Sequence, residues 1–224
     1  MKNENPLLQK YVLPPFNKIQ AQHIELAIDQ TLKENREGLE NLLENTENYT
    51  WENFFQKIED MEDRLQKVWS PVSHLHSVAD NQELRIIYNS CLIKISNYST
   101  EIGQNINLFK AYDSFSKDFL FKNLPLTQQK IINNAIRDFR LSGINLDKKS
   151  KNIYKKIQTK LSELQTKFEE NLLDATHAWK KHITNKNDLA GIPKSVITLA
   201  AETAKRNNKK GWLFTLEAPF YIPV

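Results

Sequence analysis

The sequence predicts an all-α fold, an elongated bundle of long antiparallel helices that ends in a short β segment without sheet partners. Three observations lead to this prediction. Apolar residues recur three and four positions apart over most of the 224 residues, which places them on one face of a helix. Only 5 glycines and 8 prolines interrupt the chain. Strand character is confined to 212–216 and 221–224, where Pro219 and Pro223 limit pairing.

The first two helices follow a proline-limited entry at 13–16. The first is predicted over about 21–44, with an inward face of Ile24, Ala27, Ile28, Leu32, Leu39 and Leu42. The second opens at Thr50, whose hydroxyl can accept a hydrogen bond from an unpaired first-turn amide. Pro71 lies within its apolar pattern, and because proline removes an amide and clashes with the preceding turn, we expect a bend near Ser70.

The third and fourth helices are separated by turn signals. Asp80 followed by Glu83 resembles a capping box, which predicts the start of the third helix. Its apolar stripe is Leu84, Ile87, Cys91, Ile95, Tyr98, Ile102, Ile106 and Phe109. A shorter helix is predicted over about 127–141, and Gly143 can take the left-handed conformation that closes it.

The longest helix is predicted to begin after Asp147. Its apolar residues follow a nearly coiled-coil spacing, which predicts the buried spine of the bundle: Ile153, Ile157, Leu161, Leu164, Phe168, Leu172, Ala175 and Trp179. A last helix begins at Pro193 and fades by Arg206. We expect the strand-like tail after it to pair with something later in the chain or to remain an exposed edge.

Composition disfavours a membrane protein. The sequence has no uninterrupted apolar run of the roughly 18 residues that a membrane-spanning helix needs. Its opening residues lack the apolar block of a signal peptide, so we expect a cytoplasmic protein with no membrane contact. The single cysteine, Cys91, lies on an apolar stripe and is expected to be a buried hydrophobe rather than a reactive thiol.

The charge pattern disfavours nucleic acid as a partner. The 31 basic residues are nearly matched by 27 acidic ones, which leaves a formal net charge of +4. The two signs alternate along the predicted helices, as is typical of solvated faces. The densest basic stretch, 205–210, has no interleaved aromatic residue and matches no nucleic-acid-binding module.

The histidines are the first candidates for chemistry. His177 and His182 are five apart, so on a helix their directions differ by about 140° and one metal ion is hard to share. His74 and His76 are two apart and could chelate in a strand or loop, but no carboxylate lies close enough in the sequence to be a third ligand. A surface or capping role is the expectation for His74 and His76.

The carboxylates and aromatic residues of the second helix also have structural interpretations. Its acidic cluster lies on the polar face beside basic residues, which favours surface ion pairs over acid–base catalysis. The acidic residues are Glu59, Asp60, Glu62 and Asp63, and the basic ones are Lys57, Arg64 and Lys67. Trp51, Phe54 and Phe55 fall on the core stripe, so packing is expected rather than ligand binding.

Nine short blocks, in order along the chain, resemble the N-terminal portion of the thimet oligopeptidase family of zinc metallopeptidases. None of these blocks is a catalytic motif. The blocks are NPLL at 5–8, LPPF at 13–16, YTWEN at 49–53, SPVSHL at 70–75, KAY at 110–112, RDF at 137–139, LSGI at 141–144, LSEL at 161–164 and NLLDAT at 171–176.

The resemblance implies a helical N-terminal domain over 1–210 and, at 211–224, the start of a connection to a catalytic domain. Family members hold zinc with the two histidines of H-E-x-x-H and a later glutamate, and this sequence does not contain that motif. We therefore predict no catalytic, cofactor-binding or metal-binding residue in this chain, no bound zinc and no hydrolysis by the chain alone.

Two functions remain open from the sequence. In the first, the chain is the channel wall of a zinc endopeptidase that degrades short peptides, and a separate catalytic half completes it. In the second, it is a free-standing helical interaction module. A missing half predicts an exposed apolar patch larger than the roughly 300–600 Å² that is usual for a monomer.

Overall fold

A computed structural model describes residues 5–223 of the chain. The chain forms two compact units, which divide between Glu163 and Leu164. Helices dominate, and the strands of the described residues form one small antiparallel sheet. The predicted all-α class with a short C-terminal β segment is confirmed.

The first unit is built from helices joined by short turns. The α-helices that begin in it are α1 Ala21–Asn45, α2 Gln56–Val78, α3 Gln82–Gly103, α4 Ile106–Phe115, α5 Phe119–Lys122, α6 Leu126–Leu141 and α7 Lys148–Ala178. Short 3-10 turns at Pro6–Leu8 and Phe16–Lys18 precede α1. A π-helical turn, Trp51–Phe55, leads directly into α2.

Two apolar cores hold the first unit together. One joins the C-terminal half of α1, the π-helical turn, α4 and α6, with Phe54, Phe55 and Tyr112 among its buried aromatic rings. The other joins the N-terminal half of α1 with α2 and α3. All the residues predicted for the inward face of α1 are buried. Fully burying one such aliphatic or aromatic side chain contributes roughly 1.5–3 kcal/mol.

Cys91 lies in the second core and is fully buried, as predicted. Burial raises the pKa of its thiol to about 11. Since the thiolate is the reactive form, this cysteine acts as a small apolar residue.

Thr50 caps the π-helical turn as the sequence predicts. Its hydroxyl accepts from the Asn53 amide at 3.2 Å, and the Asn53 side chain accepts from the Thr50 amide at 2.8 Å. These reciprocal hydrogen bonds satisfy two donors that the start of a helix leaves unpaired.

α2 continues through Pro71 instead of restarting there. Because proline has no amide hydrogen, the Lys67 carbonyl, four residues earlier, loses its helical partner. The Tyr11 hydroxyl, from the segment before α1, donates a hydrogen bond to this carbonyl. The segment before α1 thus supplies a hydrogen-bond donor in place of the one that the proline lacks. The bend predicted near Ser70 stays a prediction.

Tyr11→Phe should lower the free energy of unfolding by about 1 kcal/mol, since it removes this hydrogen bond and leaves the ring in place. In a Pro71→Ala background the Lys67 carbonyl regains a backbone donor, so the same substitution should then have a smaller effect. Urea unfolding of the four proteins in this double-mutant cycle measures the coupling. Equal effects in both backgrounds would show that the hydroxyl does not act through Pro71.

The third helix differs from its prediction at both ends. Asn81, not Asp80, caps α3, accepting from the Leu84 amide at 3.0 Å. The helix ends at Gly103, and the Asn105 side chain accepts from the first-turn amides of α4. Glycine and asparagine both favour helix ends over helix interiors. The apolar spacing runs across this break because the two helices contribute to the same core.

The second unit contains the sheet. β1 Lys180–Ile183 pairs antiparallel with β2 Trp212–Thr215, and Ile183 lies opposite Trp212. The tail expected to lack partners therefore has one within the described residues, and that partner precedes it in the chain. α8 Lys194–Arg206 and the short α9 Ala218–Tyr221 pack with β2 around a small core. No helix within 5–223 is long and apolar enough to cross a membrane.

Candidate functional site

The apolar face of α7 is exposed, which corrects the prediction of a buried spine. We call six of its residues the α7 stripe: Ile153, Ile157, Leu161, Leu164, Phe168 and Leu172. Their exposed fractions run from 45% at Leu161 to 69% at Phe168. Trp179, just after the helix, is 46% exposed. Large apolar side chains lie on the surface along several turns of one helix.

The polar face of α7 is the one that lies against the rest of the first unit. The Ser162 hydroxyl lies 3.2 Å from the Ser96 hydroxyl of α3. Tyr154 lies beside the turn at Gly143, where its ring carbon is 3.8 Å from the position a Cβ would take. Within the first unit, small and polar contacts therefore hold α7, and Ile153, Ile157 and Leu161 stay exposed.

The stripe runs nearly parallel to the helix axis. Its spacings of 4, 4, 3, 4 and 4 residues repeat every 11 residues, a period of about 3.67 residues per turn that lies close to that of a straight α-helix. A partner can therefore contact the residues of the stripe within each unit without supercoiling strongly around α7. Such contiguous exposed apolar surface is typical of interaction sites.

A groove in the first unit is a second candidate site, with a volume of about 440 Å³. α1, α2, α3, α4 and α6 supply its walls, which are mostly apolar and include Leu65, Ile95 and Ile102. Polar groups also face it, among them Glu59 of α2 and Tyr112 of α4. This groove could not be predicted from the sequence because its walls come from five separate helices.

The acidic cluster of α2 only partly matches its prediction. Lys67 pairs with Asp63 at 2.5 Å, an ion pair on the helix surface as expected. Arg64 instead pairs with Glu34 of α1 at 3.0 Å. Glu59 is half-buried at the groove and makes no hydrogen bond or ion pair with any described residue.

The electrostatics of Glu59 and Tyr112 are coupled. Partial burial, and then the neighbouring Glu62 and Asp60 carboxylates, raise the pKa of Glu59. Burial raises the pKa of the Tyr112 hydroxyl strongly, and the Glu59 carboxylate adds to the effect. Both residues line the same groove.

The histidines lie in separate environments. The His182 ring nitrogen in β1 lies 2.7 Å from the Lys210 carbonyl, whereas His177 lies in the last turn of α7. His74 is exposed, as expected, and packs on Phe16. The surface role expected for His76 is wrong, because its ring is buried and stacks on Tyr88 with ring centroids 3.9 Å apart. Its Nε2 also lies 3.9 Å from the Asp80 carboxylate, so a carboxylate is near this pair after all. Within residues 5–223, no three or more His, Cys, Asp or Glu side chains are grouped to hold a metal ion.

The aromatic residues of the π-helical turn pack in the core, as predicted. Trp51, Phe54 and Phe55 are all buried. The Trp51 indole donates to Gln56 at 3.0 Å, so its polar atom has a partner inside the protein. These rings are not a ligand platform.

Comparison with known proteins places these features in a family context. The model of the neurolysin/thimet oligopeptidase N-terminal domain matches residues 28–151. Oligopeptidase A of Haemophilus influenzae is 42% identical over 224 residues, which are 100% of this chain and 33% of that protein. Oligopeptidase A of Escherichia coli is 41% identical and covers 98% of this chain and 32% of its own length.

A plant relative extends the similarity beyond bacteria. The probable cytosolic oligopeptidase A of Arabidopsis thaliana is 31% identical, over 99% of this chain and 32% of its own length. The chain thus spans about a third of the length of the curated relatives it matches.

Proposed function

Because this chain belongs to the neurolysin/thimet oligopeptidase family, we propose that it is the helical N-terminal portion of a zinc oligopeptidase and forms one wall of a peptide channel. In this proposal residues 1–210 are the helical domain and 211–224 begin the connection to the catalytic portion. The substrates are short peptides, and the location is cytoplasmic, as the name of the Arabidopsis thaliana relative states for that protein.

The exposed α7 stripe is the observation that carries this proposal. About two thirds of each bacterial relative lies outside the part that this chain matches. We propose that the catalytic portion of the enzyme covers the stripe. Each square ångström of apolar surface that such packing removes from water contributes about 25 cal/mol, which favours a partner over solvent.

The residues of this chain do not fit a zinc site. The H-E-x-x-H pattern is not in the sequence, and the described part of the chain holds no cluster of metal-binding side chains. We therefore assign no step of peptide hydrolysis to this chain. Its proposed role is to bind and enclose peptides beside residues that another part of the enzyme supplies.

A chimeric enzyme tests this proposal. This chain would replace the matching third of Escherichia coli oligopeptidase A, and hydrolysis of an internally quenched peptide would be measured with and without a chelator. We expect chelator-sensitive turnover by the chimera and none by the 224-residue chain alone. A folded, zinc-loaded chimera without turnover, beside an active parent enzyme, would contradict the proposal.

Phe168→Glu tests the role of the α7 stripe in the same chimera. A carboxylate at the most exposed residue of the stripe would be buried on docking, so we expect the midpoint of thermal inactivation to fall by several degrees. Lys167→Glu is the matched control, since this exposed neighbour points about 100° around the helix. If Phe168→Glu and Lys167→Glu lowered the midpoint of thermal inactivation equally, the stripe would not be covered.

The isolated chain distinguishes the alternative, a free-standing helical interaction module. An uncovered stripe predicts self-association and binding of an apolar dye, both reduced by Phe168→Glu. Light scattering and dye fluorescence measure these properties. A monomer that binds no dye and melts cooperatively would favour the independent module.

A further inference from the structure

The groove between α1, α2, α3, α4 and α6 has the composition of a site for a cationic side chain. Among the described residues, its charged lining side chains are Glu59, Glu62 and Asp138, and no lysine or arginine lines it. Two of these carboxylates have internal partners: Gln66 donates to Glu62 at 3.0 Å, and Arg137 pairs with Asp138 at 2.7 Å. Glu59 is the carboxylate left without one among the described residues.

The Tyr112 hydroxyl is a second, independent indication of a ligand. Tyr112 is only 3% exposed, yet its hydroxyl makes no hydrogen bond to any described residue. The hydroxyl oxygen itself is not among the fully buried polar atoms that lack a partner, so it is left to pair with water or with a bound group. Because Tyr112 lines the groove, a bound group with a hydrogen-bond donor or acceptor can supply the missing partner.

The shape and polarity of the groove narrow the class of ligand. Its volume of about 440 Å³ is within the range of small-molecule sites and accommodates an amino-acid side chain with its neighbours. The apolar walls suit a methylene stem, and lysine and arginine carry their charge at the end of such a stem. A free carboxylate with apolar walls therefore favours a basic peptide over an acidic or purely apolar one.

We propose that this groove binds a lysine or arginine side chain of a peptide, with Glu59 pairing with the cationic group and the Tyr112 hydroxyl accepting a further hydrogen bond. This inference deepens the proposed function by naming a substrate class. Peptide binding to the helical chain is measured without hydrolysis. Binding can therefore fail while the proposed family role stands, and the chimeric enzyme can fail while peptide binding is observed.

Calorimetric titration of the 224-residue chain with two peptides tests the proposal. One is acetyl-Leu-Arg-Leu-amide, and the other carries citrulline, the neutral isostere of arginine, at the central position. We expect the arginine peptide to bind at least tenfold more tightly, since a hydrogen bond between charged groups is about twice as strong as a neutral one. Equal affinities, or no binding of the arginine peptide, would overturn the proposal.

Two isosteric variants assign the effect to the groove. Glu59→Gln should weaken the arginine peptide about tenfold and leave the citrulline peptide unchanged, while Tyr112→Phe should weaken the arginine peptide a few-fold. Glu40→Gln, at an exposed position of α1 outside the groove, is the control and should change neither affinity. If Glu59→Gln bound the arginine peptide as wild type, the groove would not be the site.

Phe168→Glu separates the groove from the α7 stripe, because an apolar peptide can also adsorb to the stripe. We expect this variant to retain the preference for arginine over citrulline. If Phe168→Glu, which leaves Glu59 unchanged, abolished the preference for arginine over citrulline, the peptide would bind at the α7 stripe and the proposal would be overturned. Circular dichroism of each variant confirms that the helices are retained.

Discussion

Phe55→Ala should lower the free energy of unfolding of the first unit by about 3–5 kcal/mol, the range for removing a buried phenylalanine ring. Phe55 is fully buried. Its ring centroid lies 5.1 Å from Phe54, 4.8 Å from Tyr112 and 4.5 Å from Phe115. Alanine would leave a cavity among these rings and remove their contacts, each worth about 0.5–1.5 kcal/mol beyond burial.

Urea unfolding followed by far-ultraviolet circular dichroism measures this change. Phe119→Ala is the matched control, since the same side chain at the start of α5 is 74% exposed. We expect the control to stay within about 0.5 kcal/mol of wild type. A loss below 1 kcal/mol for Phe55→Ala would mean that the aromatic rings rearrange to fill the space.

Gly211→Ala should destabilise the second unit by about 2–4 kcal/mol, from left-handed strain and overpacking together. Gly211 has φ +92°, which an L-residue adopts with strain. A Cβ here would lie 2.4 Å from the Ile183 carbonyl oxygen and 3.2 Å from the Thr184 Cα. Because both contacts are backbone atoms at the end of β1, the strand itself would have to move.

Gly191→Ala isolates the steric part of this effect. Gly191 has a similar φ of +88°, but a Cβ there would meet nothing within 4 Å. We expect this variant to lose only the strain, about 1–2 kcal/mol. Hydrogen exchange of the β1 and β2 amides measures both variants. If the two variants lost equal protection from hydrogen exchange, the close approach of Gly211 to β1 would not add to the destabilisation.

The helices could be predicted from the sequence because their signals are local. Apolar spacing identified the inward face of α1, and the hydroxyl of Thr50 identified the start of the second helical segment. The end of α3 was missed because two consecutive helices share one core, so their apolar spacing runs on across Asn105. Spacing reports a shared face and not an unbroken helix.

The remaining features depend on contacts between distant parts of the chain. The periodicity of the sequence predicted that the residues of the α7 stripe share one face of the helix. It could not predict that the opposite face, which carries Ser162, would lie against α3. β1 becomes a strand by pairing with β2, about thirty residues later, which no local pattern around His182 records. Glu59 was interpreted as a solvated surface residue, and the groove that partly buries it forms only when five helices meet.

The π-helical turn at Trp51–Phe55 is a place where the length of the chain can change by one residue. A π turn accommodates one more residue than an α turn, so it is equivalent to a single insertion in the helix that α2 continues. Deleting Glu52, an exposed residue of this turn, would convert the π turn into an α turn and leave the residues on either side facing as they do now. Trp51 would stay in the aromatic core, and the cap at Thr50 would keep its place. Alignments of related chains should therefore tolerate a gap of one residue within this turn.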